Sequence, residues 1–168
     1  DMTTGSLGQG FSTSLGMALA GKIDGKDYHV YTLVGDGEMD EGIVWEAAIN
    51  AVHNKLDNLI MIVDRNMYQL DGNTEKILSL GEVSKKLEAF GWEVREIDGH
   101  SITEIYISIM ESMQRNGKPK AIVARTVKGK GVSYMQNTHE FHGKPPNKEQ
   151  YEKAIKELEE EKNRIMSE

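Results

Sequence analysis

The sequence contains no cysteine. Disulfides and thiolate metal sites are thereby excluded, together with the bridged scaffolds of small secreted proteins, and the cytoplasm is the expected compartment. No apolar run approaches the roughly 20 residues that a membrane-crossing helix needs, and the N-terminus lacks a basic-then-apolar leader pattern. No membrane is therefore expected as a partner. Basic residues are outnumbered, 20 Lys and Arg against 27 Asp and Glu, and they are scattered rather than gathered in a stripe. That is the wrong electrostatics for nucleic acid. A net charge of −7 is also unhelpful to an anionic ligand, so any phosphate site must act locally, through backbone donors or a metal ion.

What is present fits one compact domain: 168 residues suffice for a real core and do not call for two. Short β-prone runs at Tyr28 to Val34, Leu59 to Val63, Trp92 to Ile97 and Ala121 to Val127 predict four strands. Helical patterns lie before and between them, from Phe11 to Lys22, Glu41 to Lys55, Glu82 to Phe90 and Ile102 to Arg115. The alternation implies an α/β protein with a parallel sheet covered by helices. In the fourth helix Ile102, Ile105, Ile109 and Met113 recur at helical spacing behind a Ser101/Glu104 capping box. After Pro145 and Pro146, residues 147 to 168 read as a terminal amphipathic helix with Tyr151, Ile155, Leu158 and Ile165 on one face, packed as a cap on a domain of residues 1 to 146. Two stretches resist this scheme, Asp64 to Leu80 and Lys128 to Pro146. Connections of that length usually carry function.

The chemistry starts at Gly35-Asp36-Gly37, an acid between two glycines at the carboxyl end of a buried strand. Ligands bind at that edge of a parallel sheet, and flanking glycines let the backbone turn and an N–H approach a phosphate. An ordinary tight turn with a helix-capping Asp explains the same three residues. The next strand ends in Asp64-Arg65-Asn66, followed by Tyr68, and again presents oxygen ligands. One carboxylate, one amide oxygen and one backbone carbonyl would form half of the octahedral shell that Mg²⁺ requires, leaving positions for a diphosphate and water.

Gly35-Asp36-Gly37, 28 residues, then Asn66 resembles the thiamine-diphosphate signature. Further segments resemble transketolases in particular: the run from Thr3 to Gly10, the pairs Glu41-Gly42 and Glu46-Ala47, Leu70-Asp71-Gly72, the run from Val127 to Val132, and Phe141-His142-Gly143. The resemblance implies the three-layer α/β/α thiamine-diphosphate-binding fold. It also implies transfer of a two-carbon ketol unit between sugar phosphates, as in the pentose phosphate pathway, with thiamine diphosphate and Mg²⁺ (or Ca²⁺) as cofactors. Asp36, the Asn66 side chain and the Tyr68 carbonyl correspond to the metal ligands, and the Gly37 N–H to a diphosphate donor. Gly5, Ser6 and Leu7 correspond to the segment lining the thiazolium and aminopyrimidine, and His142 to a histidine reaching both the diphosphate and the reacting hydroxyls. Glu41 and Glu46 correspond to acids at the subunit interface, although two solvated first-turn glutamates would look the same. Trp45 between them marks that helix as the expected contact surface.

Ser6 stands where single-chain transketolases commonly have proline and fits the split, two-subunit branch, while Arg65 stands where the signature often has Asn. The family carries a substantial segment before the Thr3 motif, so an N-terminal part is expected to be missing here. Its activating glutamate comes from a pyrimidine-binding domain, expected on a C-terminal partner subunit, and this chain alone should turn over little. With Asp36 as sole anionic ligand, Asp36→Ala should abolish metal-dependent binding and leave the fold intact. The alternatives are a deoxyxylulose-phosphate synthase, a dehydrogenase first component, or a non-catalytic binding or assembly subunit.

Other motifs fail on geometry. Asp36, Glu38 and Asp40 begin like a calcium loop, but Glu41 sits where glycine is needed and Ala47 where the bidentate acid belongs. His139-Glu140-Phe141-His142 is one residue short of a zinc-protease helix. The glycines at 5, 8 and 10 do not fit a dinucleotide loop, nor Lys128 to Gly131 a Walker loop.

Overall fold

A computed structural model describes residues 2–167. They form two compact units, one of Asp1–Arg65 with Leu80–Thr126, the other of Asn66–Ser79 with Val127–Glu168.

The first unit is built on four parallel strands, β1 (Val30–Gly35), β2 (Leu59–Arg65), β5 (Glu93–Asp98) and β6 (Lys120–Arg125), in the order β1-β2-β6-β5. Val30 pairs with Leu59 and Gly35 with Asp64, so β1 and β2 end level with each other. Strand β2 is central, and Leu59, Ile60, Met61 and Val63 are fully buried, as a strand covered on both faces requires. One face is covered by α1 (Gln9–Ile23), α2 (Gly42–His53) and α4 (Val83–Phe90). Its core joins Phe11, Val44, Leu87 and Trp92, and Ala47, Ala48 and Ala51 give α2 a small-residue buried face. On the opposite face α5 (Ile102–Ser112) sets Ile105 and Ile109 over Ile60, Ile97 and Ile122. The expected α/β/α layering with a parallel sheet is therefore present. Strand β1 borders β2 on one side and, among the described residues, no strand on the other; Tyr31 is exposed there, and Leu33 is 70% exposed.

The helix predictions differ from the structure in which faces they bury. Ser101 accepts from the Glu104 N–H as expected of an N-cap, but the Glu104 carboxylate turns to the Asp98 N–H, so the box is half formed. Ile105 and Ile109 pack on the sheet, whereas Ile102 is 79% exposed. It sits in the first turn, before the helix has closed over the strands.

Lys120 is buried where β6 meets both neighbours, and its ammonium donates to Glu93 Oε2 (2.8 Å) and to Asn116 Oδ1. Hydrogen bonds to Glu93 from Lys120, foremost, and from Asn116 hold its carboxyl below the ordinary value of 4.5. A carboxyl lowered on folding contributes stability that is present above the unfolded value and is lost as pH falls through the folded one. The stability gap between the protein and Glu93→Gln should therefore shrink between about pH 6 and about pH 3. Denaturant melts across that range check it, and a pH-independent gap would count against the Lys120 pairing.

The second unit contains a hairpin of β3 (Tyr68–Gln69) and β4 (Gly72–Asn73), the single turn α3 (Thr74–Ile77), and α6 (Lys148–Met166). Asn147 and Gln150 form a complete capping box at the start of α6. The loop before α6 is tied to it: Ser133 donates twice to the Glu157 carboxylate (2.7 and 2.6 Å), and Tyr134 Oη donates to the Gln150 carbonyl (2.6 Å). Phe141 meets the Tyr134 ring edge-on at 5.3 Å. The apolar face predicted to be packed is not: Tyr151, Ile155, Leu158 and Ile165 are all exposed, and Ala154 is the buried residue of α6. The loop reaches α6 through polar groups, which helical periodicity does not register.

Candidate functional site

The close of β1 is shaped by one more backbone bond beyond the ladder, from the Asp36 N–H to the Asp64 carbonyl (3.1 Å). The chain then turns through a short 3-10 segment, Glu38–Asp40, into α2. Asp36 is 1% exposed. Its Oδ1 accepts from the Gly37 N–H at 3.0 Å, so the donor expected for a diphosphate here holds the carboxylate of its own turn. Its Oδ2 meets the guanidinium of Arg65 at 3.0 Å.

Arg65 is thus a residue of this strand end whose part the sequence did not show. It ends β2, is 9% exposed, and also donates to the Gly81 carbonyl (3.4 Å). The sequence marked it only as standing where the signature often has Asn. Its partner lies 29 residues away, which no local pattern reports.

Glu38 is the second such residue. Helix α1 has no acid in its first turn and no side-chain cap, and its N-cap is Gly8. Glu38 supplies both deficits from 30 residues away: Oε1 accepts from the Gly8 N–H (2.8 Å) and Oε2 from the Gly35 N–H (3.3 Å). A negative charge at a helix N-terminus is favourable in itself, and here it also binds the segment holding Gly5, Ser6 and Leu7 to the end of β1. Those three residues are exposed. Gly8 cannot be replaced lightly, because its φ is +77° and an added Cβ would lie 2.4 Å from Ile43 Cγ2. Glu38→Gln, with one oxygen for two donors and no charge, should destabilise the protein by about 1–2 kcal/mol. Chemical denaturation measures this, and a loss near zero would make the bridge incidental.

In the second unit the Asn66 Oδ1 accepts from the Tyr68 N–H at 3.0 Å, which pins the carboxamide against the backbone of Tyr68. An amide oxygen has a second lone pair, so this bond does not consume its capacity to ligate. His142 is exposed, with its N–H on the His139 carbonyl (2.8 Å).

Glu41 is the N-cap of α2, and Glu46 lies one turn in; both are exposed. Trp45 does not share their surface. Its indole N–H donates to the Met39 carbonyl (2.8 Å), and its ring meets Phe90 edge-on at 5.6 Å with the Lys86 ammonium over it. The ring is half-buried among these contacts within the unit.

Among the described residues no three His, Asp or Glu side chains gather around a metal position. A divalent ion at Asp36 would have to complete its shell with neutral protein oxygens and phosphate oxygens, which is how Mg²⁺ is commonly held. The buried Asp36 carboxylate would supply the one anionic oxygen of such a shell, and its Oδ2 is held by Arg65 in this structure. A cleft of about 770 Å³ lies between α1 and β1, lined by Thr4, Phe11, Tyr31 and Leu33 among others.

Open parallel sheets bind their ligands at the carboxyl ends of the strands, and here that edge presents a buried acid between glycines. Residues 1–164 match the family described as "Transketolase, thiamine diphosphate binding domain", and the chain belongs to that family. It is 45% identical over 161 residues, 96% of its length, to a 6-deoxy-6-sulfo-D-fructose transketolase subunit of Clostridium sp. (strain MSTE9), covering 58% of that protein. It is 43% identical over 160 residues, 95% of its length, to one subunit of the apulose-4-phosphate transketolase of Phocaeicola vulgatus, covering 57%. The chain therefore spans little more than half of these relatives. Among solved structures, transketolase from Campylobacter jejuni superposes with a TM-score of 0.85 at 35% identity, over 92% of this chain and 25% of that one.

Proposed function

We propose that this chain is the diphosphate-holding part of a cytoplasmic transketolase, and that it transfers a two-carbon ketol unit between sugar phosphates only together with a partner subunit that carries the pyrimidine-binding domain. The observation that carries the reading is the buried Asp36 carboxylate, placed between two glycines at the carboxyl end of β1. Asp36 supplies the anionic metal ligand, and the Asn66 amide oxygen and the Tyr68 carbonyl supply neutral ones. The metal is Mg²⁺ or, with the same oxygen donors, Ca²⁺. When bound, thiamine diphosphate supplies the carbon nucleophile of the transfer.

The residues of this chain bind and orient. The Gly37 N–H, held by Asp36 Oδ1 in this structure, would donate to a diphosphate oxygen, and Gly5, Ser6 and Leu7 would line the cofactor rings. His142 donates hydrogen bonds to the diphosphate and to the hydroxyls of the sugar. Glu41 and Glu46 face the partner. The split-subunit names of the relatives support a second chain. Calorimetry with thiamine diphosphate and Mg²⁺, with and without the cognate pyrimidine-binding subunit, tests the reading in parallel with a ketol-transfer assay. Affinity and turnover should both rise on mixing. A chain that gains neither is a binding or assembly subunit, and the proposal then fails.

A further inference from the structure

We propose that Arg65 is a resident counter-cation of the Asp36 site, which makes metal loading conditional on the arrival of the diphosphate. The inference rests on the reading of Asp36 as a metal ligand.

Two facts carry it. Asp36 and Arg65 are both buried, with side chains 1% and 10% exposed, and Nη1 lies 3.0 Å from Oδ2. A carboxylate removed from water in this way requires a compensating charge, and the guanidinium supplies it without any metal. A divalent ion approaching the same carboxylate must either displace that guanidinium or sit within a few ångströms of it. Displacement strands a buried arginine, and coexistence sets two cations side by side in a medium that screens them poorly. Both penalties fall when a polyanion enters with the metal, because its oxygens neutralise the ion and can accept the N–H groups that Asp36 gives up. Arg65 therefore disfavours the bare ion and tolerates the ion in company with a diphosphate.

The probe is Mn²⁺ alone, with free ion counted by electron paramagnetic resonance in titrations of the full chain without diphosphate. Arg65→Met should bind Mn²⁺ at least tenfold more tightly than the unaltered protein, a difference of about 1.4 kcal/mol. Its melting temperature, lower than that of the unaltered protein in chelator, should be raised by Mn²⁺ alone. Equal Mn²⁺ affinity in the two proteins overturns the proposal. If Arg65→Met does not fold, Arg65→Lys is read in the same titration. Its compact ammonium cannot reproduce the planar fork, so at least threefold tighter binding is expected, and equal binding again overturns the idea. Adding Asp36→Asn separates this failure from failure of the underlying site. If Mn²⁺ binding by Arg65→Met survives that change, the ion is not at Asp36, and the metal-site reading falls with it.

Discussion

Asp36→Asn should weaken metal-dependent binding of thiamine diphosphate at least about a hundredfold. A hard, strongly hydrated ion left with only neutral protein ligands is poorly held, and no other carboxylate joins Asp36 in a metal-binding cluster among the described residues. The same substitution carries a stability cost that the sequence did not foretell. Arg65 would face a neutral amide, and removing one partner of a buried ion pair typically costs about 3–5 kcal/mol. Asp36→Ala would add a cavity and take away the acceptor of the Gly37 N–H, so the expectation that it leaves the fold intact is withdrawn. Asparagine keeps the shape and one oxygen, and is the variant to use. Circular dichroism establishes that it remains folded at the working temperature, and calorimetry of the assembled complex then reads the affinity. An unchanged metal-dependent affinity would remove Asp36 from the site.

Trp92→Ala should be the most damaging single change to the core of the first unit. The indole is 3% exposed, packs against Phe11 at a ring separation of 6.1 Å, and donates its N–H to the Ala48 carbonyl at 3.0 Å. It stands between α4 and β5 and contacts residues of α1 and α2, so four elements lose packing at once. Truncation of a buried aromatic of this size costs about 3–5 kcal/mol, which for a domain of this length lowers the melting temperature by about 10 °C or more. Trp92→Phe keeps most of the apolar volume and loses the hydrogen bond, and should cost about 1 kcal/mol of bonding plus a smaller packing loss. Thermal and denaturant melts of the two variants separate these contributions. Similar losses in both would assign the stabilisation to the hydrogen bond instead of to the packing.

The sheet was legible because each strand is a short, dense apolar run ended by glycine or polar residues. The place of Asp36 was legible for a related reason: Gly35-Asp36-Gly37 follows directly on the apolar run of β1, so the acid had to fall at the carboxyl end of that strand. What stayed hidden depends on partners distant in sequence. The bonds from Arg65 to Asp36 and from Gly8 to Glu38 span 29 and 30 residues. Trp45 looked like an exposed anchor because its sequence neighbours are acids, whereas its ring contacts come from Phe90 and Lys86 on another helix. The β3–β4 hairpin and the turn of α3 are too short for either hydrophobic period to register. The stretches flagged as irregular, Asp64 to Leu80 and Lys128 to Pro146, coincide closely with the part of the second compact unit outside α6.

The outer side of β1 has consequences at the bench. A strand with one unpaired side offers a row of backbone donors and acceptors, and Tyr31 and Leu33 make this one apolar as well. Such an edge is a template for another strand. During expression or refolding, the 168-residue chain handled by itself at high concentration should lose material to strand-to-strand aggregation in proportion to how often two such edges meet. Dilution, a strand-blocking Leu33→Lys change, or any polypeptide that lies along β1 should raise the yield of soluble protein without altering the stability of an individual molecule.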